Sequence, residues 1–244
     1  MRCISVRVCL VGLLLAGCAN ANISGMQTGF GGSLPRPKTA VVSNFVFSSD
    51  VVTLDRGFSA RLQRKLGDIP PHERQQRTAE RVNHEIVATI VATLREAGLD
   101  AQPGSEEGLS LSDGALVVGG KLRAVDQGNR TQRNVIGFGA GRSDVVADMT
   151  VSYFSWSGKK ELLKFTAEAQ SGRRPGAAVT APISAARGAA IAAITVAGGA
   201  ASEKLSADVE AQARKLGRAA GEKIVAYAKE QGWLAASEAP KPGT

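Results

Sequence analysis

Regular alternation of apolar and polar side chains over residues 144–170 constrains the fold of this chain most strongly. A period of two is typical of β-strands that bury one face and expose the other. The sequence Trp156-Ser157-Gly158-Lys159 interrupts the alternation and predicts a tight turn between two antiparallel strands. The face predicted to be buried carries Val145, Ala147, Met149, Val151, Tyr153, Leu163, Phe165, Ala167 and Ala169.

Two upstream stretches extend this sheet. Residues 115–124 place Leu116, Val118, Gly120, Leu122 and Ala124 on one face, with Lys121 and Arg123 in water. Residues 39–47 have apolar side chains on both faces, which predicts a central strand. The polar loop over residues 100–114 leaves room for one short edge element. We therefore expect a mixed, partly antiparallel sheet of about four to five strands.

Apolar residues at helical spacing predict two long helices that pack on the sheet, so the fold class is α/β. The first spans Arg74 to Ala97 and the second Ser202 to Gln231, and a short helix is predicted over Phe58–Leu66. The stripe of the first long helix consists of Val82, Ile86, Val87, Ile90, Val91 and Leu94. That of the second consists of Leu205, Val209, Ala213, Leu216, Ala220, Ile224 and Tyr227.

Residues 176–201 form a Gly/Ala-rich helical arm by composition. Alanines recur every four residues from Ala181 to Ala201, and this small-residue stripe permits close approach of another helix. Three interpretations remain open. The arm packs on its own domain, joins a second copy of the chain, or inserts in a membrane.

The N-terminus predicts export and lipid attachment. Arg2 and Arg7 precede a short apolar run that suits a signal peptide over residues 1–17. The sequence Leu15-Ala16-Gly17-Cys18 looks like a bacterial lipobox, in which Cys18 is acylated and becomes the first mature residue. The alternative is an ordinary signal peptide that happens to contain cysteines.

These features divide the chain into four parts. After the signal peptide, residues 18–38 are rich in Gly, Asn and Pro without periodicity, which predicts a flexible tether. Residues 39–234 form a single α/β domain that includes the arm. Residues 235–244 are predicted to be a disordered tail.

A loop rich in Gly and Arg connects two of the predicted strands and is the candidate partner-binding site. Nucleotide binding is not expected, because a phosphate-binding loop needs a helix N-terminus or a Lys-Ser/Thr pair after its glycines, and here a strand follows. Its cations instead suit an anionic partner. The candidate residues are Arg130, Arg133, Gly137, Phe138, Gly139, Gly141 and Arg142.

No catalytic, metal or cofactor site is predicted. His72 and His84 are the only histidines and lack the spacing of zinc ligands, so we expect both to be structural or solvated. Asp144 and Asp148 share one strand face, and whether they act as a carboxylate pair stays open. The formal net charge of +8 is spread along the chain without a reader motif, which disfavours nucleic acid.

Four blocks of the sequence stand out, namely Gly119–Arg130, Ile136–Ser143, Asp208–Leu216 and Gln231–Trp233. Together they resemble bacterial lipoproteins of the domain of unknown function 4410 family. The resemblance covers roughly residues 38–234 and implies a lipid-anchored envelope protein without an established activity or catalytic residues. A looser, fold-level resemblance is to curli-assembly-type secretion lipoproteins and penicillin-binding-protein activators, which share a compact α/β domain.

The expected function is that of a non-enzymatic adaptor. Ala19 after the cysteine, rather than Asp, resembles the outer-membrane sorting pattern, so we expect a palmitate-bearing lipoprotein on the outer membrane that faces the periplasm. Its partner would be an envelope protein or an anionic polymer. The alternative is a homo-oligomeric component of a secretion or transport assembly, with subunits joined through the arm.

Overall fold

The computed structural model describes residues 21–58, 60–62, 69–105, 114–129, 142–171 and 200–234, with side chains from residue 208 onward in the last segment. The predicted signal peptide, Cys18, the tail and residues 176–199 of the arm lie outside the described residues. Within them the strands are β1 (Ala21–Thr28), β2 (Thr39–Ser43), β3 (Val52–Thr53), β4 (Ala101–Gly104), β5 (Ala115–Asp126), β6 (Asp144–Ser155) and β7 (Gly158–Gln170). The helices are α1 (Pro71–Glu96) and α2 (Ala200–Glu230).

The predicted α/β class is confirmed, with more strands than expected. The strands form one open, mixed, seven-stranded sheet in the order β1-β7-β6-β5-β2-β4, and β3 also pairs with β5. Strands β1, β7, β6 and β5 are antiparallel neighbours, whereas β2 and β3 run parallel to β5. The extra strands are short or irregular, which is why alternation does not reveal them.

The predicted flexible tether is wrong over residues 21–38. Residues 21–28 are strand β1, which pairs antiparallel with β7 at the sheet edge. The backbone of Gly29 and Phe30 continues these hydrogen bonds, and Leu34 is buried in the core. The α/β domain therefore begins by Ala21 rather than at residue 39. Hydrogen bonds to a distant strand supply the order that this segment's own composition does not predict.

The predicted buried face of β6 and β7 is confirmed residue by residue, from Val145 through Ala169. The prediction for β5 holds only to Leu122. A register shift between Leu122 and Ala124 changes which side chains point into the core, so Val125 is buried and Ala124 is not. A β-bulge of this kind adds one residue to a strand and inverts the alternation beyond it.

Both long helices pack against the sheet and against each other, and their predicted stripes are buried from Val82 to Leu94 and from Val209 to Tyr227. Helix α2 begins at Ala200, so the last two residues assigned to the arm belong to this helix. The helices run in the same direction, because Arg81 lies 3.4 Å from Glu210 and Glu85 lies 3.0 Å from Arg214. These side chains bridge the helices, so part of the charged face of α1 is a helix–helix contact.

Two glycines of α2 set the distance between the helices. A Cβ atom at Gly217 would lie 2.9 Å from the Ile86 carbonyl oxygen, and one at Gly221 would lie 2.7 Å from the Thr93 Cβ. Both distances are too short for a side chain. The close approach predicted for the alanine stripe is thus made in the described structure by the Gly-x-x-x-Gly pair of α2.

Candidate functional site

The sheet has two contrasting ends. The leading end is defined by Ala21, where the described chain begins, and by Asp126, Asp144 and Gln170. These four residues lie together because Ala21 pairs with Ala169, while Asp144 pairs with both Asp126 and Gln170. The hairpin end lies at the opposite tip of β6 and β7.

Every segment marked by its sequence as a candidate for binding connects at the leading end. The Gly/Arg loop joins the end of β5 to the start of β6. The chain leaves the described structure after Ser171 at this end, and α2 begins here as well, because it runs parallel to α1. Helix α1 begins here, as shown by the Gln75 Nε2 donating to the Val52 carbonyl at 2.8 Å. The antiparallel pairing of β5, β6 and β7 thus brings segments that are far apart in the sequence to one end of the sheet.

A buried network of polar groups holds the segment after β3 across the leading end. The Gln127 side-chain oxygen accepts from the Asp55 backbone N–H at 3.0 Å, and the Asp55 carboxylate accepts from the Gly57 N–H at 2.8 Å. The Arg56 N–H donates to the Gly128 carbonyl at 3.2 Å, and its guanidinium lies 3.0 Å from the Asp126 carboxylate. Hydrogen bonds thus fix this part of the chain, and Leu54 packs against the core beside them.

Asp144 carries the most perturbed carboxyl group at this end. Burial, followed by the nearby charge of Glu168 and that of Asp126, raises the pKa of Asp144 to about 6, although a backbone hydrogen bond and Arg142 act in the opposite direction. Its Oδ1 atom is buried and has no hydrogen-bond partner among the described residues. A carboxyl group with this pKa exchanges protons close to neutral pH.

Asp144 and Asp148 do not act as a pair in the structure, although their spacing along β6 suggests one, because each has different partners. The Asp148 carboxylate accepts from the Thr166 hydroxyl at 2.7 Å and lies 3.4 Å from Arg123. Asp144 faces Asp126 on the neighbouring strand instead. Sequence spacing along one strand could not reveal this cross-strand pair, because it depends on the register of β5 against β6 after the bulge.

Among the predicted binding residues, only Arg142 belongs to the described part of the chain. It is exposed at the leading end, and its Nη1 donates to the Gln170 side-chain oxygen at 3.3 Å. Cys18, Arg130, Arg133, Gly137, Phe138, Gly139 and Gly141 lie outside the described residues. Ser143 next to Arg142 is fully buried, and its backbone pairs with that of Ser171.

His72 and His84 are both exposed on α1, the first at its N-terminal turn. No three His, Cys, Asp or Glu side chains are grouped to hold a metal ion in the part of the chain that the structure describes. Across the same residues, no helix is both long and apolar enough to span a membrane.

Sequence reasoning missed an apolar surface at the leading end. Phe58 and Leu62 are 66% and 45% exposed, and Ile69, which precedes α1, is 39% exposed. The sequence predicts a short helix over Phe58–Leu66. Residues 58 and 60–62 are helical, whereas residues 59 and 63–66 lie outside the described residues. A four-residue spacing identifies two side chains that share a face. It does not say whether that face is covered.

Comparison with known proteins identifies the family of this chain. No curated protein matches the sequence. Two solved structures of the PelC dodecamer from Paraburkholderia phytofirmans, one of them a variant, are each 12% identical to this chain. Their TM-scores are 0.37 and 0.35. The matched regions cover 81% and 82% of this chain and 96% and 95% of the PelC chains. These values are too low to assign function. The family of the domain of unknown function DUF4410 matches residues 41–188, more than half of the sequence, and the chain belongs to that family.

Proposed function

We propose that this protein is a lipid-anchored lipoprotein of the outer membrane that faces the periplasm and acts as a non-enzymatic adaptor for a protein or polymer partner. The observation that carries the proposal is the sequence Leu15-Ala16-Gly17-Cys18 close to the start of the fold. Only Ala19 and Asn20 separate Cys18 from β1. The anchor would therefore attach almost directly to the domain.

Covalent geometry limits how far the domain could stand from such an anchor. Consecutive Cα atoms are about 3.8 Å apart, so the three steps from Cys18 to Ala21 span at most about 11 Å. Acyl chains contribute about 0.8 kcal/mol for each buried CH₂ group, and two or more chains give stable attachment. An acylated Cys18 would thus hold the leading end of the sheet beside the membrane.

The adaptor role rests on the chemistry of the leading end. The polar groups of Asp55, Gln127 and Ser171 accept hydrogen bonds from backbone N–H groups, which fixes the chain rather than presenting a nucleophile. Arg142 of the Gly/Arg loop is exposed, and the formal charge of +8 becomes +6 once Arg2 and Arg7 leave with the signal peptide. These features support recognition of an anionic partner.

Replacing Cys18 by Ser tests the anchor. We expect the wild-type protein, expressed with its own signal, to incorporate a clickable palmitate analogue and to fractionate with the outer membrane. The Cys18→Ser variant should lose the label and leave the outer-membrane fraction. A Cys9→Ser variant is the matched control and should retain both properties, because Cys9 lies within the predicted signal peptide. Labelling of the Cys18→Ser variant at the wild-type level would refute the proposal.

A homo-oligomeric component of a secretion or transport assembly is the second candidate. The observation that favours it is the four-residue spacing of alanines from Ala181 to Ala201. The mass of the purified protein in detergent separates the two functions. A monomer supports the adaptor, and a closed assembly of one defined size supports the alternative.

A further inference from the structure

We propose that the leading end of the sheet rests on a phospholipid surface, with Phe58 and Leu62 inserted between the lipid headgroups. This inference rests on the proposed lipid anchor and adds to it a contact made by the domain itself. The anchor alone would leave the orientation of the domain undefined. The apolar pair would fix it.

The local backbone explains why both side chains point outward. Residues 58 and 60–62 are helical, and the Arg61 N–H donates to the Gly57 carbonyl at 3.0 Å. Successive helical residues are rotated by about 100°, which places Phe58 and Leu62 on one face and Ala60 on the other. Ala60 is only 5% exposed, so the helical segment packs through its small residue and leaves its two large apolar residues in solvent.

This segment is held at the leading end by contacts already described. Its preceding residues, Asp55 to Gly57, are hydrogen-bonded to Gln127 and Gly128 at the end of β5. Ile69 lies at the same end, because α1 begins there and the Arg74 Nε donates to the Ile69 carbonyl at 2.9 Å. These three exposed apolar side chains thus lie at the leading end on the β5 side of the sheet, with β6 and β7 between them and the edge strand β1 that follows Cys18.

Among the residues that the structure describes, the other large exposed hydrophobic residues do not form a comparable surface. Met26 lies along the outer edge of β1, and Val46 bridges to Lys121 near the middle of β5. Trp156 is 84% exposed but stands in the turn at the hairpin end. Exposed apolar residues that occur singly are ordinary on protein surfaces, whereas a group of them marks an interaction site.

The position of Cys18 identifies the occupant as lipid. A lipidated cysteine within about 11 Å of Ala21 would bring the membrane close to the leading end rather than to the hairpin end. Insertion of apolar side chains into the boundary between headgroups and acyl chains is a familiar mode of membrane contact.

Charge at the same end suits anionic headgroups on one side of the sheet. Arg56 and Arg61 flank Phe58 in sequence, and both are exposed. Arg56 is paired with Asp126, and the carboxylates of Asp144 and Glu168 lie on the face of the sheet away from the helices. We therefore expect the domain to tilt so that the helical segment, rather than these carboxylates, meets the membrane.

Site-specific fluorescence tests this orientation in the full-length gene product. Phe58→Cys and Trp156→Cys variants are purified in detergent, labelled with the environment-sensitive probe NBD and reconstituted into vesicles of phosphatidylethanolamine and phosphatidylglycerol. The mass of each protein first establishes whether Cys18 carries acyl chains and is therefore unreactive. Because both positions are exposed, labelling leaves the core intact.

We expect the emission of the probe at position 58 to shift to shorter wavelength on reconstitution and to be quenched by spin-labelled lipids. The probe at position 156 should show neither change. An acylated protein whose probe at position 58 stays in a polar environment would overturn the inference and leave the anchor standing. A shift at position 156 alone would mean that the domain is inverted and would also overturn it. Absence of acyl chains would instead refute the anchor, as seen in the mass spectrum before any fluorescence is recorded.

Discussion

The two ends of the sheet are built by different physical means. At the hairpin end, Trp233 packs between Tyr153 and Tyr227, with ring centroids 6.1 and 5.9 Å apart. Its Nε1 donates to the Leu34 carbonyl at 2.8 Å. One buried aromatic side chain thus joins the N-terminal segment, the sheet and helix α2.

At the leading end, apolar side chains such as Val125 and Val145 are also buried, but polar contacts fix residues 55–57. Large apolar side chains are exposed there. Asp144 has a raised pKa, which means that folding places its ionised form in an unfavourable site. Phe58 and Leu62 have more than two fifths of their surface in solvent. Trp233 at the hairpin end therefore contributes to stability, whereas the leading end carries a carboxyl group whose placement lowers stability and exposed apolar side chains whose removal should leave it unchanged. Such a division is expected when one end serves for contact with other molecules.

Among the substitutions that test this comparison, Trp233→Ala should lower the free energy of unfolding most. Removing a buried aromatic side chain typically costs about 3–5 kcal/mol, because contacts are lost and a cavity remains. Against a typical total stability of about 5–15 kcal/mol, such a loss is severe. Urea denaturation followed by circular dichroism measures it. The control is Trp156→Ala in the exposed turn, which should change the free energy of unfolding by less than about 0.5 kcal/mol. Equal losses for the two variants would contradict the assigned role of Trp233.

Asp144→Asn should stabilise the domain at pH 7. This effect is smaller than that of Trp233→Ala and opposite in sign. The pKa of this carboxyl group is about 6 in the folded protein, compared with an ordinary value of 3.8. The folded state therefore binds the proton more tightly than the unfolded state, so the wild-type loses stability as the pH rises from about 4 to 6. The gain in the variant should be at most about 1 kcal/mol, because solvent screens a partly exposed group.

Urea titrations between pH 4 and 7 measure this effect. The stability difference between Asp144→Asn and wild-type should be near zero at pH 4, grow up to about pH 6 and then level off. Asp148→Asn is the matched control on the same strand face. It removes a carboxylate that accepts from Thr166 and lies near Arg123, so it should lower stability slightly. A difference that shrinks with rising pH would show that Asp144 does not have a raised pKa.

Phe58→Ser should have the smallest effect on stability. The side chain is largely in solvent, so its replacement should change the free energy of unfolding by less than about 0.5 kcal/mol. Phe45→Ser offers the same substitution in the core, where only 2% of the residue is exposed, and should cost several kcal/mol. Thermal unfolding of both variants gives the comparison. If Phe58→Ser proves as destabilising as Phe45→Ser, the leading end has an apolar contact that contributes to folding.

The family and fold class could be predicted from the sequence, and the candidate site only in part. Alternation and helical spacing are local patterns, so they identified the buried faces of β6 and β7 and the stripe from Val82 to Leu94. The family is confirmed over residues 41–188. Lipidation of Cys18 and the role of the Gly/Arg loop stay predictions, since all of that loop's candidates except Arg142 lie outside the described residues.

One missed feature did have a local signal. Gly217 and Gly221 are four residues apart in α2, and this spacing permits two helices to approach closely. The repeated alanines of residues 181–201 offered the same signal at greater length and drew the prediction there. Spacing alone does not say which of two small-residue stripes meets a partner helix.

The sequence by itself determined which faces of the long elements are apolar, because that information lies in residues two to four positions apart. Only the tertiary structure decided that residues 21–28 form a strand, that Val125 rather than Ala124 enters the core, and that Asp144 faces Asp126. Each of these depends on pairing between strands and on the bulge that shifts their register. Backbone hydrogen bonds between distant segments satisfy groups that any residue carries, so side-chain patterns reveal little about them. The same pairing brings the chain start, the Gly/Arg loop and Phe58 to one end of the sheet.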